Sequence, residues 1–182
     1  MTARRGLIAA ALLCLSTVPA AQARDASASG DASASVVRPL RTTALADLSF
    51  GAITVGGGQT AGGSVTVAAL GNSTSFAGSV RPLCNGGGAC QPHPARFAVS
   101  GEGARSYRVA LPASLSATGS RTGAILPVER LTLHSSNSAG TSGGLLDASG
   151  NDRFTIGGTL QVAPGTPADS YRAEFSVTVS YD

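Results

Sequence analysis

The chain has 182 residues and a formal net charge of +3, and its 13 basic residues are all arginine. So small a charge, with an aromatic content of 4%, argues against the basic surface and stacking aromatics that nucleic-acid-binding proteins use. The length suits one domain, and the abundance of Gly, Ser, Thr, Ala and Val favours short strands and tight turns over helices.

The N-terminus has the three parts of a secretory signal peptide. Residues 1–6 carry two arginines, residues 7–18 form an apolar run, and residues 19–23 supply the small side chains of a cleavage site. The apolar run is too short to cross a membrane comfortably. The sequence therefore predicts a signal peptide over 1–23, export to the periplasm, the cell surface or the extracellular space, and no membrane span in the mature chain.

Residues 24–35 form a low-complexity arm in which the unit Asp-Ala-Ser-Ala-Ser occurs twice, at 25–29 and 31–35. One interpretation is a flexible tail. The other is an extended donor strand with its apolar residues on one face. Methyl groups would make that donor weak, because burial stabilises by only about 25 cal/mol per Å². The residues that share the apolar parity are Ala26, Ala28, Ala32, Ala34 and Val36.

Residues 36–182 are predicted to form a single domain built from short strands. Apolar and polar residues alternate in brief runs between Gly, Asn and Asp turns, and no apolar pattern of helical period persists over three turns. Gly51 shifts the parity inside one run, which indicates a bulge or bend. The pattern predicts an all-β fold of the antiparallel β-sandwich type. The runs are Val36–Leu40, Leu48–Val55, Val65–Val67, Ala95–Val99, Tyr107–Leu111, Leu131–Leu133 and Phe154–Val162.

The last segment, residues 171–182, has the clearest strand pattern in the chain. Large apolar or aromatic side chains occupy alternate positions, with Ala173 as the small member and polar residues between them. This period of two predicts a half-buried strand that runs to the C-terminus, where an open apolar edge needs a partner. The alternating residues are Tyr171, Phe175, Val177, Val179 and Tyr181.

Cys84 and Cys90 are the two cysteines that remain after the predicted signal peptide is removed. In an exported chain they are expected to form an intramolecular disulfide. The alternative is a metal site that adds His93 as a third ligand. A structural zinc site usually has four ligands and a tighter cysteine spacing, so the disulfide is the favoured interpretation.

The turn at residues 147–152 offers several oxygen atoms that a calcium ion could use. It lacks the spaced carboxylates and terminal Glu of an EF-hand loop, and a hairpin turn explains its Ser-Gly-Asn sequence more simply. Calcium binding therefore stays the weaker alternative here. Its candidate ligands are Asp147, Ser149, Asn151 and Asp152.

Catalytic machinery is not apparent in the sequence. His93 and His134 are the two imidazole bases, and the nucleophile-elbow pattern Gly-x-Ser-x-Gly does not occur. The glycines at 56–58 and 62–63 lack the Gly-Lys-Ser/Thr ending of a phosphate-binding loop. We expect a protein that is not an enzyme and that needs no cofactor and no metal.

Several ordered segments of the predicted domain form a recognisable series. They are Leu40 with Ala46–Ile53, Ala95–Gly101, Ser106–Pro112, Leu146–Gly150, Phe154–Leu160 and Tyr171–Tyr181. Together they resemble the secreted bacterial family called domain of unknown function 4402, which carries no established catalytic residues. The C-terminal strand is also similar to the terminal strand of fimbrial and spore-coat-U-type subunits.

The pilin resemblance implies an incomplete immunoglobulin-like sandwich that a strand from a chaperone or from the next subunit completes. By that analogy Phe175, Val177, Val179 and Tyr181 line the pairing strand, and the partners are a periplasmic chaperone or like subunits. The expected function is that of a non-catalytic exported structural or surface protein of the pilin type. The alternative is a stand-alone binding module for carbohydrate or another surface ligand.

Overall fold

The computed structural model describes residues 29–57, 60–71, 73–84 and 90–182. In these ranges the regular structure is β-strand and every strand pair is antiparallel, so the predicted all-β antiparallel class is confirmed. The strands are β1 (Arg41–Ala46), β2 (Ile53–Val55), β3 (Gly63–Val67), β4 (Thr74–Gly78), β5 (Val80–Pro82), β6 (Ala95–Ser100), β7 (Ser106–Ala110), β8 (Ser114–Gly119), β9 (Ile125–Ser135), β10 (Gly143–Leu145), β11 (Asn151–Val162), β12 (Tyr171–Arg172) and β13 (Thr178–Tyr181).

The long strand β11 organises the larger of two facing sheets. The order of that sheet is β1-β6-β11-β9-β8-β12, and β3 also pairs with β11 and carries β4 at its outer edge. The first half of β11 pairs with β6 and its second half pairs with β3. A smaller sheet has the order β10-β7-β13, and β2 and β5 form a separate ribbon.

Two hydrophobic clusters fill the interior. The first lies between the two sheets, because it joins Phe154 and Val99 of the large sheet to Tyr107 and Val109 of the small sheet. The second lies under the other half of β11, where Val80 of the ribbon packs with residues of the large sheet. Fully burying one such side chain stabilises a fold by about 1.5–3 kcal/mol. These layers make the fold a β-sandwich.

Strand β9 changes its buried face at Arg130, which separates the two clusters. Leu126 and Val128 face the second cluster, whereas Leu133 faces the first. Their parities differ because Arg130 has a φ of 50° and the register with β11 shifts beside Gly157. A side chain at Gly157 would also collide with the backbone at the end of β3. A bulge of this kind lets one strand bury side chains in both hydrophobic clusters.

Two of the predicted strand runs are wrong in their bounds. Residues 36–40 are in no strand, and β1 begins one residue later, at Arg41. In the run 48–55 only Ile53–Val55 forms a strand, because the backbone turns at Gly51, whose φ is 73°. The prediction of a bend at Gly51 is therefore confirmed. A Cβ there would come within 2.6 Å of the Cys90 carbonyl oxygen, so glycine is required by space as well.

The C-terminal segment is not the single strand that its pattern predicts. Tyr171–Arg172 pairs with β8 in the large sheet, and Thr178–Tyr181 pairs with β7 in the small sheet. Residues 173–177 belong to neither sheet, because the chain crosses there between the two layers. The predicted faces are correct for the large residues, because those at 171, 175, 177, 179 and 181 are partly buried. Ala173, the small member of the predicted buried face, is exposed like the polar residues of the segment.

Residues 36–182 form one compact unit, which is distinct from residues 1–35. Of residues 1–35 the structure describes 29–35, which are exposed and lie in no strand or helix. The predicted signal peptide, 1–23, lies outside the described residues. Within the described ranges, no helix is long and apolar enough to cross a membrane.

Candidate functional site: an open sheet edge

Strand β13 is hydrogen-bonded along one side only. Thr178 lies opposite Ala110 and Ser180 opposite Arg108, and the Asp182 N–H donates to the Ser106 carbonyl at 3.3 Å. Main-chain groups in an antiparallel ladder point alternately to the two sides. The N–H and C=O groups at positions 179 and 181 therefore face away from β7. Among the described residues, no strand pairs with β13 on that side.

Strand β1 forms the corresponding edge of the large sheet. Thr42 lies opposite Val99 and Ala44 opposite Phe97. Residues that lie opposite each other point to the same face, so Thr42 and Ala44 are on the core side of β1. Both are nevertheless exposed. Phe97 is only partly buried, although its ring stacks on that of Phe154 at 5.1 Å. The small sheet thus stops short of covering β1.

Tyr181 ties the end of β13 to the segment that enters β1. Its hydroxyl donates to the carbonyl of Arg38 at 2.7 Å and accepts a hydrogen bond from the N–H of Glu102. A side chain at Gly101 would collide with this hydroxyl. The last tyrosine therefore fixes one end of the opening between the two sheets. We call this opening the open edge; it consists of the unpaired side of β13 together with the core-facing side of β1.

The four residues predicted for strand pairing lie at the open edge but in two different settings. Val179 and Tyr181 are in β13, whereas Phe175 and Val177 lie in the crossing segment. All four pack against the first hydrophobic cluster, so their side chains form the floor of the site. Their unpaired backbone, rather than their side chains, is the group that a partner strand would bind. The sequence did not indicate the second wall, because β1 carries only short side chains on that face.

A buried polar cluster next to this core was not predicted from the sequence. The hydroxyls of Tyr107 and Ser135 donate to one carboxylate oxygen of Asp152, at 2.8 and 2.6 Å. Tyr107 and Ser135 are each 1% exposed and Asp152 is 5% exposed. Burial, and after it the hydrogen bond to Asp152, raises the pKa of the Tyr107 hydroxyl well above its usual range. The carboxylate is therefore a structural acceptor inside the sandwich.

The calcium alternative fails because its candidate ligands diverge. Asp152 points into the core, whereas the Asp147 carboxylate accepts the N–H of Asn151 at 2.9 Å. Gly150, with a φ of 82°, closes this hairpin turn. Among the described residues, no three His, Cys, Asp or Glu side chains are grouped so that they could hold a metal ion.

Cys84 and Cys90 form the predicted disulfide, with a Cα–Cα distance of 6.3 Å. It joins the end of β5 to the segment before β6, and Ala52 lies between them. The N–H of Ala52 donates to Cys90 and its carbonyl accepts from Leu83. Both sulfur atoms are thus bonded to each other, and the metal site with His93 is not formed. His93 instead pairs through its backbone with Ser49.

Asp169 holds the turn between β8 and β9. Its carboxylate accepts hydrogen bonds from the N–H groups of Arg121, Thr122 and Ser170, at 2.7–2.9 Å. Burial raises the pKa of Asp169, but these bonds outweigh it and hold the pKa well below its usual range. The turn is thereby fixed beside Tyr171, the residue at which the C-terminal segment enters the sheet.

The outer face of the large sheet has a shallow depression of about 640 Å³. Side chains from β1, β6 and β11 form its floor, and the turns after β9 and before β11 form its rim. Its lining contains arginine, asparagine and serine but no aromatic side chain. The polar lining residues are Arg41, Thr43, Ser100, Ser136, Asn137, Asp147, Asn151, Asp152 and Arg153.

Comparisons with known proteins support the resemblance seen in the sequence. No curated protein and no solved structure matches the chain. The profile of one family, described as Domain of unknown function (DUF4402), matches residues 40–181. That range begins just before β1 and ends at the tyrosine that anchors β13. The chain therefore belongs to the DUF4402 family.

Proposed function

We propose that the protein is an exported, non-catalytic structural subunit whose small sheet is completed by a strand from another polypeptide. The observation that carries this proposal is the open edge. The main chain at Val179 and Tyr181 has no partner strand among the described residues, and the core side of β1 next to it is exposed. One added strand would pair with β13 and cover Thr42 and Ala44 at the same time.

The open edge has few of the devices that usually protect a free strand. Native edges are commonly blunted by shortness, lysine, proline, a bulge or an inward charge. Strand β13 is short, with the four residues Thr-Val-Ser-Tyr, but it has none of the other devices. Its end carries a charged pair, in which Arg108 and Asp182 approach to 3.1 Å. An edge with so little protection above a partly exposed core suits a surface that pairs with another chain.

Two further features support this function. One is an analogy: in chaperone–usher pilins, a strand from a chaperone or a neighbouring subunit completes an incomplete sandwich at an open edge. The disulfide between Cys84 and Cys90 suits an oxidising compartment such as the periplasm or the cell surface. The proposed partners are accordingly a periplasmic chaperone or like subunits.

Proline substitutions on β13 test the proposal. The N–H of Val179 faces the open edge, so Val179→Pro removes a donor that only the partner uses. We expect this variant to fold and to lose association, measured by sedimentation velocity and by hydrogen exchange at Tyr181. Ser180→Pro is the matched control, because its N–H faces β7 and its loss should lower the melting temperature instead. Association that is unchanged in Val179→Pro would refute the proposal.

A binding module is the second candidate, and the polar depression on the large sheet is the observation that favours it. Arg41, Asn137, Asn151 and Arg153 offer several donors to a polar ligand. Sugar sites commonly add an aromatic platform, which this lining lacks, so the structural subunit is preferred. A glycan-array signal that Arg153→Ala abolishes, with an unchanged melting temperature, would favour the binding module.

A further inference from the structure

We propose that the strand that fills the open edge is the N-terminal arm, residues 25–36, of a second copy of this chain. The inference rests on the proposed function and names its partner. It predicts that the protein associates with itself head to tail, each subunit receiving an arm at β13 and donating its own. The surface involved is the unpaired backbone at Val179 and Tyr181 with the exposed face of β1.

The arm has a perfect strand pattern. From residue 25 to residue 36 every odd position is Asp or Ser, and every even position is Ala, Gly or Val. Twelve residues of strict alternation give an extended chain one polar and one apolar face. Yet residues 29–36 lie in no strand and are exposed, and Val36 is 97% exposed. Residues 29–36 therefore have the alternation of a strand but pair with no described strand, and β13 has one side that pairs with no described strand.

The small side chains of the arm suit a site whose floor is already built from large ones. Phe175, Val177 and Phe97 supply the bulk on the recipient side, and all three are only partly buried. Alanine methyl groups add little buried area. Main-chain hydrogen bonds to residues 179 and 181 would therefore supply most of the binding. We expect association that is weak and reversible rather than permanent.

The repeat in the arm makes this pairing tolerant of a change in register. The two Asp-Ala-Ser-Ala-Ser units begin six residues apart, at 25 and 31. Because six is an even number, a shift by one unit leaves the alanines on the same face, whereas a one-residue slip would turn every side chain over. Either unit can therefore occupy the open edge without exposing its apolar side.

Geometry favours an arm from a second copy over the chain's own arm. Arg38 lies three residues before the start of β1, and its carbonyl accepts a hydrogen bond from the hydroxyl of Tyr181 at the end of β13. An arm that folded back directly from this point onto its own β13 would run parallel to it, and an antiparallel arm would need part of its length for a return loop. An arm from another molecule can run antiparallel, which is the arrangement of every strand pair in the described fold and the slightly more stable one.

Two matched double variants of the full-length, exported chain test the inference. Ala32→Asp with Ala34→Asp places two charges on the apolar face of the arm, and Ser33→Asp with Ser35→Asp places two on the polar face. The readouts are sedimentation velocity and hydrogen exchange of the 179 and 181 amides over a concentration series. We expect wild type and the Ser variant to associate and protect those amides, and the Ala variant to associate at least about tenfold more weakly.

The other outcomes distinguish this inference from the proposed function. If the Ala variant associates like wild type with both amides protected, another segment is the donor, and only the arm assignment is overturned. If a monomer protects both amides at every concentration, the arm pairs within its own chain, and the inference is again wrong. If neither amide is protected at any concentration and no oligomer forms, the inference is wrong, and the proposed function loses like subunits as the partner. Equal melting temperatures show that each variant folds.

Discussion

Tyr107→Phe is the sharpest test of the buried polar cluster, since it removes one hydroxyl and keeps the ring. The hydroxyl donates to the Asp152 carboxylate at 2.8 Å, in a site where both residues are almost fully buried. The ring stays beside Phe154, with centroids 6.3 Å apart, so packing is retained. Hydrogen bonds to charged groups contribute about 1.5–3 kcal/mol, and we expect a loss of about 2 kcal/mol.

A loss of that size lowers the folded-to-unfolded ratio by about 30-fold and the melting temperature by roughly 4–8 °C. Urea unfolding followed by far-UV circular dichroism measures it, provided that the denaturant slope is unchanged. Tyr171→Phe is the matched control, because the Tyr171 hydroxyl donates to the Pro167 carbonyl in an exposed setting. Equal losses in the two variants would refute the special role of the buried cluster.

The pH dependence of stability gives a second readout for the same variant. The folded pKa of Tyr107 is raised above its unfolded value of about 10. The unfolded chain therefore loses this proton first, so the contribution is present below about pH 10 and falls as the pH rises further. We expect wild type to lose stability more steeply than Tyr107→Phe above pH 10. If the stability of the two proteins fell equally with pH, the raised pKa would not belong to Tyr107.

Three further predictions concern other supports of the fold. Asp169→Asn should remove a part of the stability that depends on pH. The folded pKa of Asp169 is lowered, so its contribution to stability is present above about pH 4 and lost below it. In urea titrations from pH 6 downward, only wild type should show that loss. Replacing Cys84 and Cys90 together by serine should lower the free energy of unfolding by about 2 kcal/mol, since the closed loop is short. Wild type under reducing conditions should unfold like the double variant. Gly101→Ala should displace the hydroxyl of Tyr181 and speed hydrogen exchange across β13. Gly56→Ala, whose added methyl group comes no closer than 3.9 Å to another atom, should leave β13 unchanged.

Local patterns predicted much of the fold because they depend only on neighbouring residues. The alternation at Ala95–Val99 and at Phe154–Ile156 predicts strands and their buried faces correctly, since successive side chains of a strand point to opposite sides. The disulfide was predictable because only two cysteines follow the predicted signal peptide. Arg130 was not predictable: nothing in its neighbourhood marks the bulge that turns β9 from one core to the other.

The candidate site was predicted only in part, because local patterns in the sequence do not record contacts between distant residues. The sequence identified Phe175, Val177, Val179 and Tyr181, because their alternation marks a buried face. It did not identify Thr42 and Ala44, since short side chains on an exposed strand carry no hydrophobic signal. It also missed the pairing of Tyr107 with Asp152, which are 45 residues apart and meet only through the folded core.

By itself, the sequence determined the class of the fold, the disulfide and the faces of the last twelve residues, because these follow from side-chain alternation and from cysteine number. The tertiary structure decided which sheet each part of that segment joins. It places Tyr171–Arg172 against β8, carries the chain across, and leaves Thr178–Tyr181 bonded to β7 on one side only. Strand pairing depends on contacts between residues that are far apart in the sequence. An unpaired edge can therefore be recognised only once the partners of every strand are known.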